Sequence, residues 1–329
     1  MNHPTNPIQS VLQWSLAPAR HRRGTVFFRI MVGLTMLYQL GIMYGQRSLL
    51  FGADAIQDYQ IFVSQFGRSN LSLLALSEHP MCLELVYHGT MVAIGFWAAG
   101  YATRFLTPVI WLGVHSIHSR FPDLWDGGDN LIHIVMIFAV LLELRPRFAT
   151  DAATGDEAQP AGEPAVGLRD VLHNLGLAAC ILQVCTVYFV AGITKVGGKY
   201  WANGTAFYYV LNSSEYGFAP YGQLIWNSPV LLTVMTWSPV VLQLAFPFIY
   251  LFGRPAARRT MVLVAISFHI GIFVAMGLET FASFMIAAEL LLLSDADFRV
   301  FERRGRALLE GGRRLVRWRS GSSAAETTA

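Results

Sequence analysis

Five long apolar runs decide what this chain can fold into: Val26 to Tyr44, Met81 to Ala99, Leu172 to Val190, Val230 to Phe252 and Met261 to Leu278. A helix needs about 20 such residues to cross the hydrocarbon core of a bilayer. Inside lipid, every backbone N–H and C=O must be satisfied within the segment, so each run reads as a spanning helix. Three shorter runs, Phe105 to Ile117, Leu131 to Leu144 and Phe281 to Leu293, fit short spans, re-entrant pieces or buried helices. Only 14% of the residues are charged, where a soluble domain carries about a quarter. The expected fold is therefore all-α: a polytopic transmembrane helical bundle of about eight spans, embedded in the lipid bilayer.

Positive charge orients the spans, because Lys and Arg concentrate in cytoplasmic loops. With eight spans and a cytoplasmic N-terminus, Arg20, Arg22, Arg23, Arg104, Arg169, Arg254, Arg258, Arg259 and the arginines from Arg299 onward all fall inside. The outer segments then hold Arg47, Arg68, Arg120, Lys195 and Lys199. Omitting Phe281 to Leu293 alone would place the arginine tail outside, so charge supports that short span. The expected organisation is a basic cytoplasmic N-terminus (1–23), a first transmembrane half (24–145), a flexible Ala/Gly/Pro and acid-rich cytoplasmic linker (146–170), a second half (171–294) with an outer loop at 195–229, and a basic cytoplasmic tail (295–329) lying on the inner leaflet. Cys82, Cys180 and Cys185 form no paired framework, so neither disulfides nor a thiolate metal site is expected.

Among 24 Lys and Arg residues only two are lysines, Lys195 and Lys199, and they share one short stretch. A lysine at a membrane boundary ordinarily snorkels to the headgroups. An amine that is partly desolvated can instead act as a base, which an arginine cannot. Both readings of Lys195 stay open on the residues alone. The other polar groups in apolar runs follow helical spacing: Glu84 with His88, Asp129 with His133, and His115 with His118, while His269 is alone. Ionisable groups inside a membrane usually face the bundle interior or a wet cavity. No third ligand accompanies the His pairs, so no metal is expected. No Walker loop, GxGxxG or GxSxG motif occurs, which argues against nucleotide-driven work. The aromatics from Tyr200 to Trp226 suit an interfacial belt or a pocket for a quinone-like ring. A transporter is disfavoured, because the halves carry no evident internal repeat.

Four blocks carry a resemblance: Arg29-Ile30; Ser119-Arg120-Phe121-Pro122 running into Gly127-Gly128-Asp129; Tyr188 to Lys195 with Trp201 and Gly204-Thr205-Ala206; and Phe268-His269 through Gly277-Leu278. Together they resemble the HTTM family, the membrane domain shared with vitamin K-dependent gamma-carboxylase and with the SdpB type of toxin-maturation protein. The resemblance implies that Lys195 is the catalytic base deprotonating a reduced quinone (vitamin K hydroquinone-like) in oxygen-dependent chemistry. Asp129, His133, Trp201 and His269 would then line the cofactor site. It implies no metal, nucleotide or nucleic acid, and places the chain in a bacterial cytoplasmic (inner) membrane. The arginine tail stands where the carboxylase continues into a lumenal domain, and the Asn-His pairing of the carboxylase region is absent. Propeptide-guided glutamyl carboxylation is therefore not expected. Non-enzymatic maturation or export of a secreted peptide is the alternative that the SdpB type implies.

Overall fold

The computed structural model describes residues 7–67, 71–144, 166–213 and 219–325. Eight principal helices follow in chain order: α1 (Arg22–Met43), α2 (Pro80–Ala99), α3 (Thr103–Arg120), α4 (Gly127–Ala139), α5 (Leu168–Val196), α6 (Pro229–Phe252), α7 (Pro255–Met276) and α8 (Glu279–Leu291). The described residues contain no strand. Five helical segments are long and apolar enough to cross a membrane: α1 with its short continuation to Phe51, α2, α5, α6 and α7.

Hydrogen bonds between helix ends show that the eight alternate in direction. At one end His21 Nδ1, just before α1, lies 3.0 Å from the carbonyl of Leu291 closing α8. Arg29 of α1 donates to the carbonyl of Trp97 near the end of α2 (3.0 Å), whose indole donates in turn to Thr107 of α3 (2.9 Å). The backbone N–H of Glu143, just past α4, reaches His173 of α5 at 2.9 Å. Tyr250 near the end of α6 donates to the carbonyl of Leu292 (2.8 Å), and Arg259 of α7 pairs with Asp297 (3.2 Å). At the opposite end Tyr38 of α1 bonds Glu279 opening α8, and Arg47 pairs with Glu84 of α2 (3.0 Å). There Arg120 closing α3 donates to the carbonyl of Gly52 (2.8 Å), and Gln39 donates to Asp129 of α4 (2.9 Å).

Each helix packs on its neighbours in sequence, α8 returns to α1, and α4 also packs on α8. The cross-section is thus two rings that share the α4–α8 wall. Close approach depends on small residues, as expected for helices meeting in lipid. A Cβ on Gly113 of α3 would lie 2.1 Å from Thr90 Oγ1 of α2, and one on Gly192 of α5 would lie 2.8 Å from Leu244 of α6.

The shared wall explains the short apolar runs. Helices α4 and α8 have 13 residues each, about 20 Å at 1.5 Å per residue, against a bilayer core of about 30 Å. In α8, Ala287, Ala288 and Leu291 are fully buried, so protein rather than lipid surrounds the helix and its backbone ends are satisfied by neighbours. By contrast, only 17% of the most apolar stretch of α7 is buried inside the protein, leaving most of its surface to lipid. The lipid-facing helices therefore need full length and the wall does not.

Helices run across three of the expected boundaries. Helix α1 begins at Arg22, inside the expected tail 1–23. Helix α5 begins at Leu168, inside the expected linker 146–170, because Asp170 accepts the N–H of Gly167 (3.2 Å) and the first turns bind the segment before α1. Residues 145–165 lie outside the described residues. The expected outer loop 195–229 starts within the last turn of α5 and contains helices Lys199–Ala202, Ala206–Leu211 and Ala219–Trp226. After α8 a helix runs from Asp295 to Ala325, with Phe298 stacked on Phe27 of α1 (5.3 Å) and Arg23 paired with Glu302.

Candidate functional site

The polar residues singled out by sequence collect in four places. Lys195 lies in the last turn of α5, half-buried, and its Nζ donates to the carbonyl of Ala191 at 3.2 Å. It has no carboxylate partner among the described residues. After Val196 the chain turns through Gly197 and Gly198 and folds Trp201 back, bringing its ring centroid 5.3 Å from Nζ. A Cβ on Gly198 would stand 2.9 Å from Cδ1 of that indole, so this position holds glycine for a packing reason. The rings of Tyr200 and Tyr209 lie 4.2 Å apart, tilted by 38°. Lys199, in contrast, is exposed.

Asp129 and His133 fall in the first ring. Asp126 caps α4 by accepting the N–H groups of Gly128 (2.7 Å) and Asp129 (3.0 Å), while Asp129 accepts the N–H of Asp126 in return (3.2 Å). Two backbone donors at the helix start are thus satisfied reciprocally, as in a capping box. Burial, and then the neighbouring Asp129 carboxylate, push Asp126 above the ordinary carboxylate range. His133 stacks on Trp111 (4.7 Å) and His115 (5.0 Å), and His118 meets Trp125 edge-on (4.6 Å). Between Gln39, Trp111, His118, Asp129, His133 and Phe284 lies a narrow cavity of about 10 Å³, the scale of one water molecule. A quinone-sized ring does not fit there without rearrangement, and Lys195 does not line it.

His269 belongs to the second ring. Its Nδ1 lies 2.7 Å from Glu289 Oε1 of α8, which also accepts the hydroxyl of Tyr188 on α5. Both members of the His269–Glu289 pair are almost fully buried, and Phe246 stacks on Tyr188 at 3.9 Å. Sequence reasoning missed Glu289: it follows Ala287-Ala288 and precedes Leu290 to Leu293. Its signal was a single acid inside an apolar run, the same signal that singled out His269. Phe281 stands between the two rings, close to Gly127 on one side and 5.7 Å from the His269 ring on the other.

The expected Glu84–His88 pair forms (3.1 Å) and belongs to a half-exposed network at a helix end, where Glu84 also pairs with Arg47 and His88 meets Tyr44. Among the described residues no three His, Cys, Asp or Glu side chains converge as a metal site would need. The sequence grouped Lys195, Asp129, His133, Trp201 and His269 as one site. The structure joins Lys195 to Trp201 and Asp129 to His133, and holds His269 with Glu289 and Tyr188.

A bundle of alternating apolar helices with ionisable groups turned inward defines a multi-pass membrane protein. The HTTM domain model matches residues 164–297, from α5 through α8, which includes Lys195, Trp201, His269 and Glu289. Sporulation-delaying protein SdpB of Bacillus subtilis (strain 168) is 31% identical over 275 residues, covering 81% of this chain and 79% of SdpB. The uncharacterized protein YitO of the same strain is 24% identical over 235 residues, covering 70% of this chain and 74% of YitO. No solved structure matches the chain. On the domain match and the extent of the SdpB likeness, this chain belongs to the HTTM family.

Proposed function

We propose that this HTTM protein carries out carboxylase-like, oxygen-dependent chemistry on a reduced quinone, with Lys195 as the base. The observation that carries the reading is the position of the Lys195 amine: half-buried, without a carboxylate partner among the described residues, and covered by Trp201. A lysine whose only task was to snorkel would extend its amine away from the protein into the headgroups. Here the amine turns back to the carbonyl of Ala191. Trp201 offers one ring face beside the nitrogen, a surface of the kind a planar aromatic guest stacks on. When bound, a reduced quinone would supply an acidic hydroxyl and two electrons for dioxygen. Lys195 accepts the hydroxyl proton at Nζ, and the face of Trp201 favours the resulting ammonium.

In this reading the eight helices are eight crossings of a bacterial inner membrane. The end bearing Arg22, Arg104, Arg169 and Arg258 faces the cytoplasm, and Lys195 lies toward the outer face. The basic helix after α8 rests on the inner leaflet.

A second reading, handling of a secreted peptide without redox chemistry, is favoured by the likeness to SdpB over 79% of that protein. Purified protein in lipid nanodiscs, supplied with a reduced quinone in air, separates the two. The proposal expects oxygen uptake above that of empty nanodiscs. No added uptake, together with a secreted precursor peptide co-purifying from native membranes, would favour the second.

A further inference from the structure

We propose that Glu289, His269 and Tyr188 form a proton-exchange site in the interior of the second ring, with the proton carried on the Glu289 carboxyl. Three helices build it: α5 contributes Tyr188, α7 His269 and α8 Glu289, all at most 2% exposed. One carboxyl oxygen, Oε1, gathers both partners, the hydroxyl of Tyr188 and His269 Nδ1 at 2.7 Å. The other, Oε2, is buried and has no hydrogen-bond partner among the described residues. An ionised carboxylate in an apolar interior needs donors on both oxygens, because an uncompensated buried charge is far more costly than an unpaired hydroxyl. The arrangement matches a neutral acid instead: Oε1 is the carbonyl oxygen receiving two donors, and Oε2 carries the hydrogen.

Among the described residues His269 is the one ion-pair partner of Glu289, and no lysine or arginine pairs with it. Tyr188 of α5 and His269 of α7 touch the carboxyl, and the buried titratable side chains of the surrounding helices include Cys185 of α5, Tyr250 of α6 and Asp129 of α4, with the half-buried His133 one turn further along α4. Cys185, Tyr188 and Tyr250 are buried and uncharged as thiol and phenols. Asp129 is engaged by Gln39, and His133 by the Trp111–His115 stack. The buried cation of α1, Arg29, reaches the carbonyl of Trp97 on α2. His269 Nδ1 also lies 3.1 Å from the carbonyl of Ala265, its own helix's acceptor four residues back. An N–H at Nδ1 therefore serves both oxygens.

A purely structural triad would be better served by a hydrophobic trio of similar volume, which is often neutral or stabilising at a buried site. Keeping a carboxyl with a free Oε2 there makes sense where the proton comes and goes. Tyr188 and Lys195 are seven residues apart on α5, two turns along one face. The triad and the amine thus lie along the same face of α5, about 10 Å apart at 1.5 Å per residue. The inference stands whether or not Lys195 acts on a quinol.

Infrared spectroscopy of the full chain in nanodiscs, without any quinone, tests it. The expected result is a protonated-carboxyl C=O band that is absent from Glu289→Gln and moves on transfer to deuterium oxide. In Tyr188→Phe, which keeps the ring on Phe246, the band persists at higher frequency because its carbonyl loses one hydrogen bond. If Glu289→Gln fails to fold, this Tyr188→Phe displacement assigns the band by itself. A spectrum with no band dependent on either residue would make the group a fixed ion pair and overturn the proposal. So would a band that ignores deuterium oxide, which would mean a trapped proton. Neither outcome bears on quinol-dependent oxygen uptake, so failure here and failure of the Lys195 reading are distinguishable.

Discussion

Replacing Lys195 by methionine is expected to lower quinol-dependent oxygen uptake by about 10²- to 10⁴-fold, the usual contribution of a positioned acid–base group. Methionine keeps an unbranched apolar stem under Trp201, so packing at the end of α5 changes little and the loss is chemical. Lys195→Arg retains positive charge and reach but does not restore the rate, since a guanidinium does not give up its proton at neutral pH. Lys199→Met serves as control: that side chain is exposed, and the amine over the Trp201 ring is that of Lys195. The assay is oxygen consumption by matched amounts of nanodisc-embedded protein. Equal rates in Lys195→Met and parent would end the mechanism while leaving the family assignment intact.

The second large effect concerns stability. Asn174 of α5 is fully buried and ties down the segment before α1. Its amide donates to the carbonyls of Ala17 (2.8 Å) and Ser15 (3.2 Å), and its Oδ1 accepts the N–H of Arg20 (3.2 Å). Asp170 and His173, on the same face, accept the N–H of Ala19 (3.0 Å) and bond the carbonyl of Arg20 (2.7 Å). The substitution Asn174→Leu fills the volume but strands one donor and two acceptors, each costing about 1–3 kcal/mol when buried. The expected total is about 3–5 kcal/mol, read as a lowered unfolding temperature of the detergent-solubilised protein. Asp170→Ala, which strands the half-exposed N–H of Ala19 and the exposed N–H of Gly167, is expected to cost less. An Asn174→Leu variant as stable as the parent would show that water reaches these groups.

How much of this was legible in the sequence depended on whether a feature was local. Helices α1, α2, α5, α6 and α7 were readable because each must satisfy its own backbone in lipid, which leaves an uninterrupted apolar run. Helices α4 and α8 were readable as short segments, α4 ambiguous as a span and α8 supported as one by charge. Their shortness comes from burial between two rings, and the sequence around Gly127 or Glu279 does not encode that. Asp129 and His133, four apart, were rightly placed on one face. Their partners, Gln39 from α1 and Trp111 from α3, are 90 and 22 residues away and could be found only in three dimensions. Trp201 over Lys195 spans six residues and two glycines, close enough to suspect. The pairing of Tyr188 with His269 and Glu289 crosses 81 and 101 residues, so one part of it was noticed and the rest passed as apolar helix.

Occupancy of the surface beside Lys195 bears most directly on the whole account. A photoreactive analogue of the reduced quinone, activated in nanodiscs and mapped by peptide mass spectrometry, should label the stretch from Tyr188 to Ala206, and excess unlabelled quinol should suppress that labelling. Labelling spread evenly over the lipid-facing helices, unaffected by competitor, would mean that no ring binds there and would contradict the role given to Lys195.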